Sequence, residues 1–125
     1  MPEGETPDTE QAAQPGQLSV ASTATDGIRV ITVAGEIDHD TVELLRQALD
    51  APYLPQPCIV IDMHQVTFMD STGINVLITA YRTLAEAGGW IRLAAPTEAV
   101  MRTLQIVGVD TLIDCRETLR DALSN

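Results

Sequence analysis

The sequence contains no lysine, and its seven bases, all arginine, face 18 acids for a formal net charge of −11. Without lysine there is no Schiff-base chemistry, no Walker-type phosphate lysine and no Ser-x-x-Lys nucleophile pair. Positive charge this sparse excludes nucleic acid and anionic membrane as partners, since both are held by dense basic patches. Cysteine is scarce too: Cys58 and Cys115 make neither a disulfide framework nor a metal-ligand spacing, and both read as small thiols in or near the core. No apolar run approaches the roughly 20 residues that span a bilayer, and no basic-then-apolar leader opens the chain, so a cytoplasmic protein is expected. No glycine-rich phosphate loop and no internal repeat is present, and neither a cofactor nor a metal is expected.

What remains is one domain of ordinary apolar content, monomeric by default, preceded by a polar segment. Residues 1–16 carry Pro2, Pro7 and Pro15, four acids and no base, a composition that predicts a disordered acidic tail, with the folded domain over 17–125. Two alternating runs, Gln17 to Thr25 with Leu18, Val20 and Ala24, and Ile28 to Ala34 with Ile28, Val30 and Thr32, flank Asp26-Gly27 and predict a hairpin. Asp40 and Glu43 resemble a capping box before a helix with Val42, Leu45, Ala48 and Leu49 inward, stopped by Pro52, Pro55 and Pro57. Cys58 to Asp62 is apolar on both faces, as in a central parallel strand, and a polar connection is expected after it.

Ile74 then opens a helical pattern with Leu77, Ile78, Tyr81, Leu84 and Ala85, ended by Gly88-Gly89. Trp90 to Ala95 reads as a strand, and Thr97 caps a helix with Val100, Met101, Leu104 and Val107 inward, ended by Gly108. Thr111 to Ile113 is the expected last strand, and Asp114 with Glu117 the start of a closing helix carrying Leu119, Ala122 and Leu123. The class is α/β: a mixed, mostly parallel sheet of about five strands with four or five helices, the first strand antiparallel.

Asp70-Ser71-Thr72-Gly73 falls at a helix start, where the first N–H groups lack intrahelical partners and the dipole is positive. A hydroxyl there is exposed and held still, and a phosphate is accommodated without refolding. Ser71 taken alone also reads as a plain N-cap.

Two motifs decide between these readings. Gly35-Glu36-Ile37-Asp38 and the segment from Ile61-Asp62 through Phe68-Met69-Asp70-Ser71-Thr72-Gly73-Ile74 resemble those of the STAS domain, the family of bacterial anti-sigma factor antagonists. Gly88-Gly89 and Val107-Gly108-Val109 match its later landmarks, so the likeness runs from about Leu18 to Leu123; Met69 stands where a β-branched residue is commoner. The resemblance implies a non-enzymatic partner switch. Unmodified antagonist binds an anti-sigma factor that is also a GHKL-type serine kinase, phosphorylation at Ser71 releases it, and a serine phosphatase resets it. Docking is expected to use Asp38, Asp70, Ser71, Thr72, Gly73 and Asn75, with Arg82 a further exposed contact, and the family fold is expected to bring Asp38 and Asp62 near Ser71. Asp38 and Asp62 read equally as loop-capping aspartates.

Two alternatives stay open. Some STAS domains are constitutive subunits of a transporter ATPase or of a signalling assembly. A serine hydrolase built from Ser71, His64 or His39 and an aspartate is more distant, because Met69 stands where a nucleophile elbow needs glycine. Asp38-His39-Asp40 holds metal-ligand types, but adjacent residues rarely face one ion, and the segment reads as a solvated turn.

Overall fold

The computed structural model describes residues 17–49 and 57–124. The expected acidic tail and the stops at Pro52 and Pro55 lie outside the described residues. In chain order the elements are β1 (Leu18–Thr25), β2 (Ile28–Ile37), α1 (Val42–Leu49), β3 (Cys58–Met69), α2 (Ser71–Glu86), β4 (Trp90–Ala94), α3 (Glu98–Val107), a 3₁₀ turn (Val109–Thr111), β5 (Asp114–Arg116) and α4 (Leu119–Leu123). The five strands form one sheet in sequential order, β1 antiparallel to β2 and the other neighbours parallel.

The β1–β2 hairpin closes through Asp26 (φ 53°) and Gly27 (φ 81°), two left-handed residues in succession, the conformation that Asp-Gly favours in a two-residue hairpin turn. Residues Ile31, Val33 and Ile37 of β2 point into the main core, whereas Ile28 and Val30 lie on the opposite face. Ala24, expected inward, is exposed.

The largest departure from the sequence reading is the length of β3. It does not stop at Asp62; it runs on to Met69, pairing Gly35 with Val66 and Ile37 with Met69. Register shifts between Thr32 and Ala34 and between Gly35 and Glu36 break the period-2 pattern, so His64, Gln65 and Thr67 fall out of phase and read as a loop. Gly35, buried at φ 112°, supplies the backbone geometry at the second shift, which is why the Gly-Glu-Ile-Asp motif opens on glycine.

Three further expectations are corrected. The cap before α1 is Asp38, whose Oδ1 accepts from the N–H groups of Asp40 at 2.9 Å and Thr41 at 3.1 Å; Glu43 pairs with Arg46 instead of closing a box with Asp40. Thr111 to Ile113, expected as the last strand, instead begins on the final residue of the 3₁₀ turn at Val109–Thr111, and pairing starts only at Asp114; α4 starts after Thr118, whose hydroxyl accepts from Asp121 N–H at 3.0 Å. Val107 and Ala85 are exposed, and Val76, outside the expected stripe of α2, is buried.

The main core gathers Ile31, Val33 and Ile37 of β2, Ile61, Met63, Val66 and Met69 of β3, and the inner faces of α1, α2 and α3. A smaller cluster on the other face packs Ala122, Leu119 and Leu123 of α4 over Ile28, Val60, Trp90 and Ala94. Arg92 locks that helix down: its Nη1 donates at 2.9 Å to the carbonyls of both Ala122 and Ser124, and its guanidinium stacks 3.9 Å from the Trp90 ring centroid.

Candidate functional site

The site sits where β2 and β3 end side by side. Asp70 N–H donates to Ile37 C=O at 3.1 Å, which ties the residue before Ser71 to the residue before Asp38. The last parallel rungs therefore bring the two motifs together although they lie far apart in the chain.

Asp70 is the N-cap of α2, in extended geometry, and its Oδ1 accepts from Thr72 N–H at 2.9 Å and from the Thr72 hydroxyl. Thr72 is half-buried and committed to that cap, in keeping with a structural hydroxyl. The plain N-cap reading of Ser71 is thereby removed. Ser71 is the first residue inside the helix; it is exposed, and its hydroxyl makes no hydrogen bond among the described residues. The carboxylate beside it satisfies the helix start, and the serine is left over.

Gly73 is buried, and a Cβ built on it would stand 2.6 Å from Met69 Cγ and 2.7 Å from Ile37 Cγ2. The glycine lets the first turn of α2 settle onto both strand ends, so it fixes the position of Ser71 and offers no surface of its own. Asn75, one turn on from Ser71, is exposed, as is Arg82. Asn75 also edges a cavity of about 320 Å³ between α1 and α2, with Arg46, Leu49, Thr79 and Thr83 along its walls.

Asp38 stands half-exposed at the neighbouring strand end, with Oδ1 engaged in the turn and the Thr41 hydroxyl bonded in turn to Glu36 C=O at 2.7 Å. Asp62, expected beside it, is elsewhere. It pairs with Thr32, six residues before Asp38, which at a strand rise of about 3.3 Å per residue puts it roughly 20 Å away. Its buried carboxylate accepts from His64, from N–H at 3.2 Å and through the ring Nδ1 at 2.8 Å, which gives both residues a structural occupation.

His64 thus faces Asp62, and His39 lies against Asp40 with both side chains almost fully exposed. Neither histidine hydrogen-bonds Ser71, and the aspartate next to the serine is used by Thr72, so no triad is assembled. Among the described residues there is no group of three or more His, Cys, Asp or Glu arranged to hold a metal, and no helix long and apolar enough to cross a membrane. Cys115 is half-buried, and desolvation, with Asp110 and Asp114 adding negative charge, pushes its thiol up to about 11, so it carries little thiolate at neutral pH.

A family model for the STAS domain matches residues 19–122. The chain is 26% identical over 100 residues to an anti-sigma F factor antagonist of Paenibacillus polymyxa, covering 78% of this chain and 86% of that one. It is 32% identical over 85 residues to the anti-sigma-B factor antagonist of Bacillus subtilis, covering 67% of this chain and 77% of the other. The crystal structure of an anti-sigma factor antagonist from Mycobacterium paratuberculosis superposes with a TM-score of 0.80 at 32% identity, over 89% of this chain and 95% of that one.

Proposed function

The chain belongs to the STAS-domain family, and from that membership we propose that it is an anti-sigma factor antagonist whose binding is switched by phosphorylation of Ser71. The relatives' names support the first half. One observation carries the second: Ser71 is exposed and unbonded at the first position of α2, directly after a residue that already caps the helix.

Unmodified, the surface of Ser71, Asp70, Asp38 and Asn75 docks on an anti-sigma factor that is also a GHKL-type serine kinase, with Thr72 and Gly73 holding that surface in shape. Docking sequesters the partner and frees its sigma factor. Transfer of a phosphoryl group adds about −1.5 to −2 charges at neutral pH, immediately beside Asp70 and one strand from Asp38. The complex then parts through like-charge repulsion and the bulk of the phosphate. The positive end of the α2 dipole offsets part of the added charge, so the fold stays as it is. A serine phosphatase removes the group and restores binding. The protein's own role is to bind and to be modified, and it catalyses nothing.

Intact-mass and phosphopeptide analysis of the protein from its own cells, beside Ser71→Ala and with co-purifying proteins identified, tests this. The expected result is a single phosphate on Ser71, absent from the variant, with kinase recovery highest when phosphate is lowest. A protein never phosphorylated under any growth condition and recovered with a transporter ATPase would overturn it in favour of a constitutive binding subunit.

A further inference from the structure

The sheet has two edges of opposite character. β5 is three residues long and carries Asp114 and Arg116, a short charged edge of the kind that resists pairing. β1 is eight residues long, Leu18-Ser-Val-Ala-Ser-Thr-Ala-Thr25, with neither a charge nor a proline. It lies within the longest charge-free stretch of the chain, which runs from Gln11 to Thr25. Ser19 and every residue from Ala21 to Thr25 are exposed.

The register fixes which backbone groups of β1 face outward. Glu36 N–H donates to Gln17 C=O at 3.1 Å, and the two-residue turn joins Thr25 to Ile28, so Gln17, Ser19, Ala21, Thr23 and Thr25 are the residues bonded to β2. The N–H and C=O groups of Leu18, Val20, Ser22 and Ala24 therefore point away from the sheet.

We propose that β1 pairs with β1 of a second copy, antiparallel about a two-fold axis at Ala21, joining the two sheets into one continuous sheet. That axis sets Leu18 opposite Ala24 and Val20 opposite Ser22, and it is the register in which every outward residue of each copy finds an outward residue of the other. The occupant is a second copy because it brings the same uncharged, proline-free edge to be matched. Two chains of net −11 repel over most of their surface, and this edge is where they meet without placing acid against acid. An antiparallel pairing of identical strands is also self-complementary, which a closed dimer requires. Ser71 lies at the end of β3, on the far side of β2, so pairing leaves both switch sites open. The contacting side chains are small, and the dimer is accordingly weak and concentration-dependent.

Sedimentation equilibrium of the full chain from about 1 µM to 1 mM, at low and at moderate salt, provides the test. The expected result is a monomer–dimer equilibrium that strengthens with salt as repulsion between the acidic copies is screened. Ser22→Pro and Ala24→Pro each delete an outward N–H and leave the β1–β2 ladder intact; each should raise the dissociation constant about tenfold or more. Ala21→Glu, an exposed change that does not touch the core, sets two carboxylates across the axis and should do the same. Ala21→Cys should give a self-disulfide dimer mapped to residue 21, because facing residues in a non-hydrogen-bonded pair lie within disulfide reach. A monomer at every concentration would overturn the proposal, as would a dimer that is indifferent to Ala21→Glu and that Ala21→Cys fails to cross-link.

Discussion

Gly73 and Ala95 show how single backbone positions shape this molecule. Because a Cβ on Gly73 would press on the Met69 and Ile37 side chains at 2.6 and 2.7 Å, Gly73→Ala must displace those side chains or lift the first turn of α2 off the strand ends. We expect a loss of about 1–3 kcal/mol in denaturant unfolding, in the range of overpacked cores, together with weaker partner binding because Ser71 moves with the turn. Ala95 sits at φ 53°, a left-handed conformation that costs a residue with a Cβ roughly 1 kcal/mol. Its N–H donates to Arg116 C=O at 2.8 Å, and that bond holds it in place. Ala95→Gly should therefore raise the melting temperature by a few degrees, read by calorimetry, with binding unchanged. Under the proposed switch, Ser71→Asp should abolish binding to the anti-sigma factor and leave the melting temperature within a degree or two of the parent, since the side chain makes no internal bond to lose.

At the scale of elements, the start of α2 was legible because capping is local: an Asp followed by Ser-Thr-Gly and an apolar run identifies a helix N-terminus within a single turn. The length of β3 was not, because two register shifts take His64, Gln65 and Thr67 out of alternation, and a shift is decided by the partner strand rather than by the strand that reads irregularly. The same limit applied to Asp62. Placing it at a strand end put it beside Ser71, whereas the continuation of β3 to Met69 carries the site away from it. Short apolar runs mislead in another way, and Thr111-Leu-Ile113 suits a strand by composition but follows a left-handed Gly108 that tightens the chain into a 3₁₀ turn. Removing the α2 cap with Asp70→Ala should cost about 1 kcal/mol and increase amide exchange in the first turn.

The junction of β5 and α4 supplies a pH effect at this scale. The hydrogen bond from Arg116 holds the Asp114 carboxyl below its ordinary value, and Coulombic attraction to Arg116 and Arg92 adds to the effect, while desolvation opposes it. A depressed carboxylate contributes stability that is fully present above its unfolded pKa near 3.8 and is lost as pH falls through the lower folded value. Asp114→Asn should thus leave the wild-type protein with the steeper stability loss below about pH 4, seen by circular dichroism in an acid titration.

For the whole molecule the governing quantity is charge. Eighteen acids against seven arginines make self-repulsion a standing cost, and added salt should raise the melting temperature until it is screened. Three of the molecule's few cations stand at structural posts: Arg92 and Arg116 both donate to carbonyls around α4, and Arg46 pairs with Glu43. Phosphorylating Ser71 adds charge to an already acidic surface, and the expected response is release of the partner with the fold unchanged. Amide exchange of α2 in the phosphorylated and unmodified forms should coincide beyond the first turn.

The stack of Arg92 on Trp90 has an optical consequence. Trp90 is the chain's sole tryptophan, it opens β4 beneath α4, and it pairs with Cys58, at the opposite end of β3 from Met69 on a strand that rises about 3.3 Å per residue. Its emission therefore reports on the seating of the carboxy-terminal helix at one end of the sheet, while Ser71 lies roughly 30 Å away at the other. Fluorescence that shifts when α4 lifts and stays constant when a phosphate arrives would separate unfolding from switching in a single cuvette, with no label added.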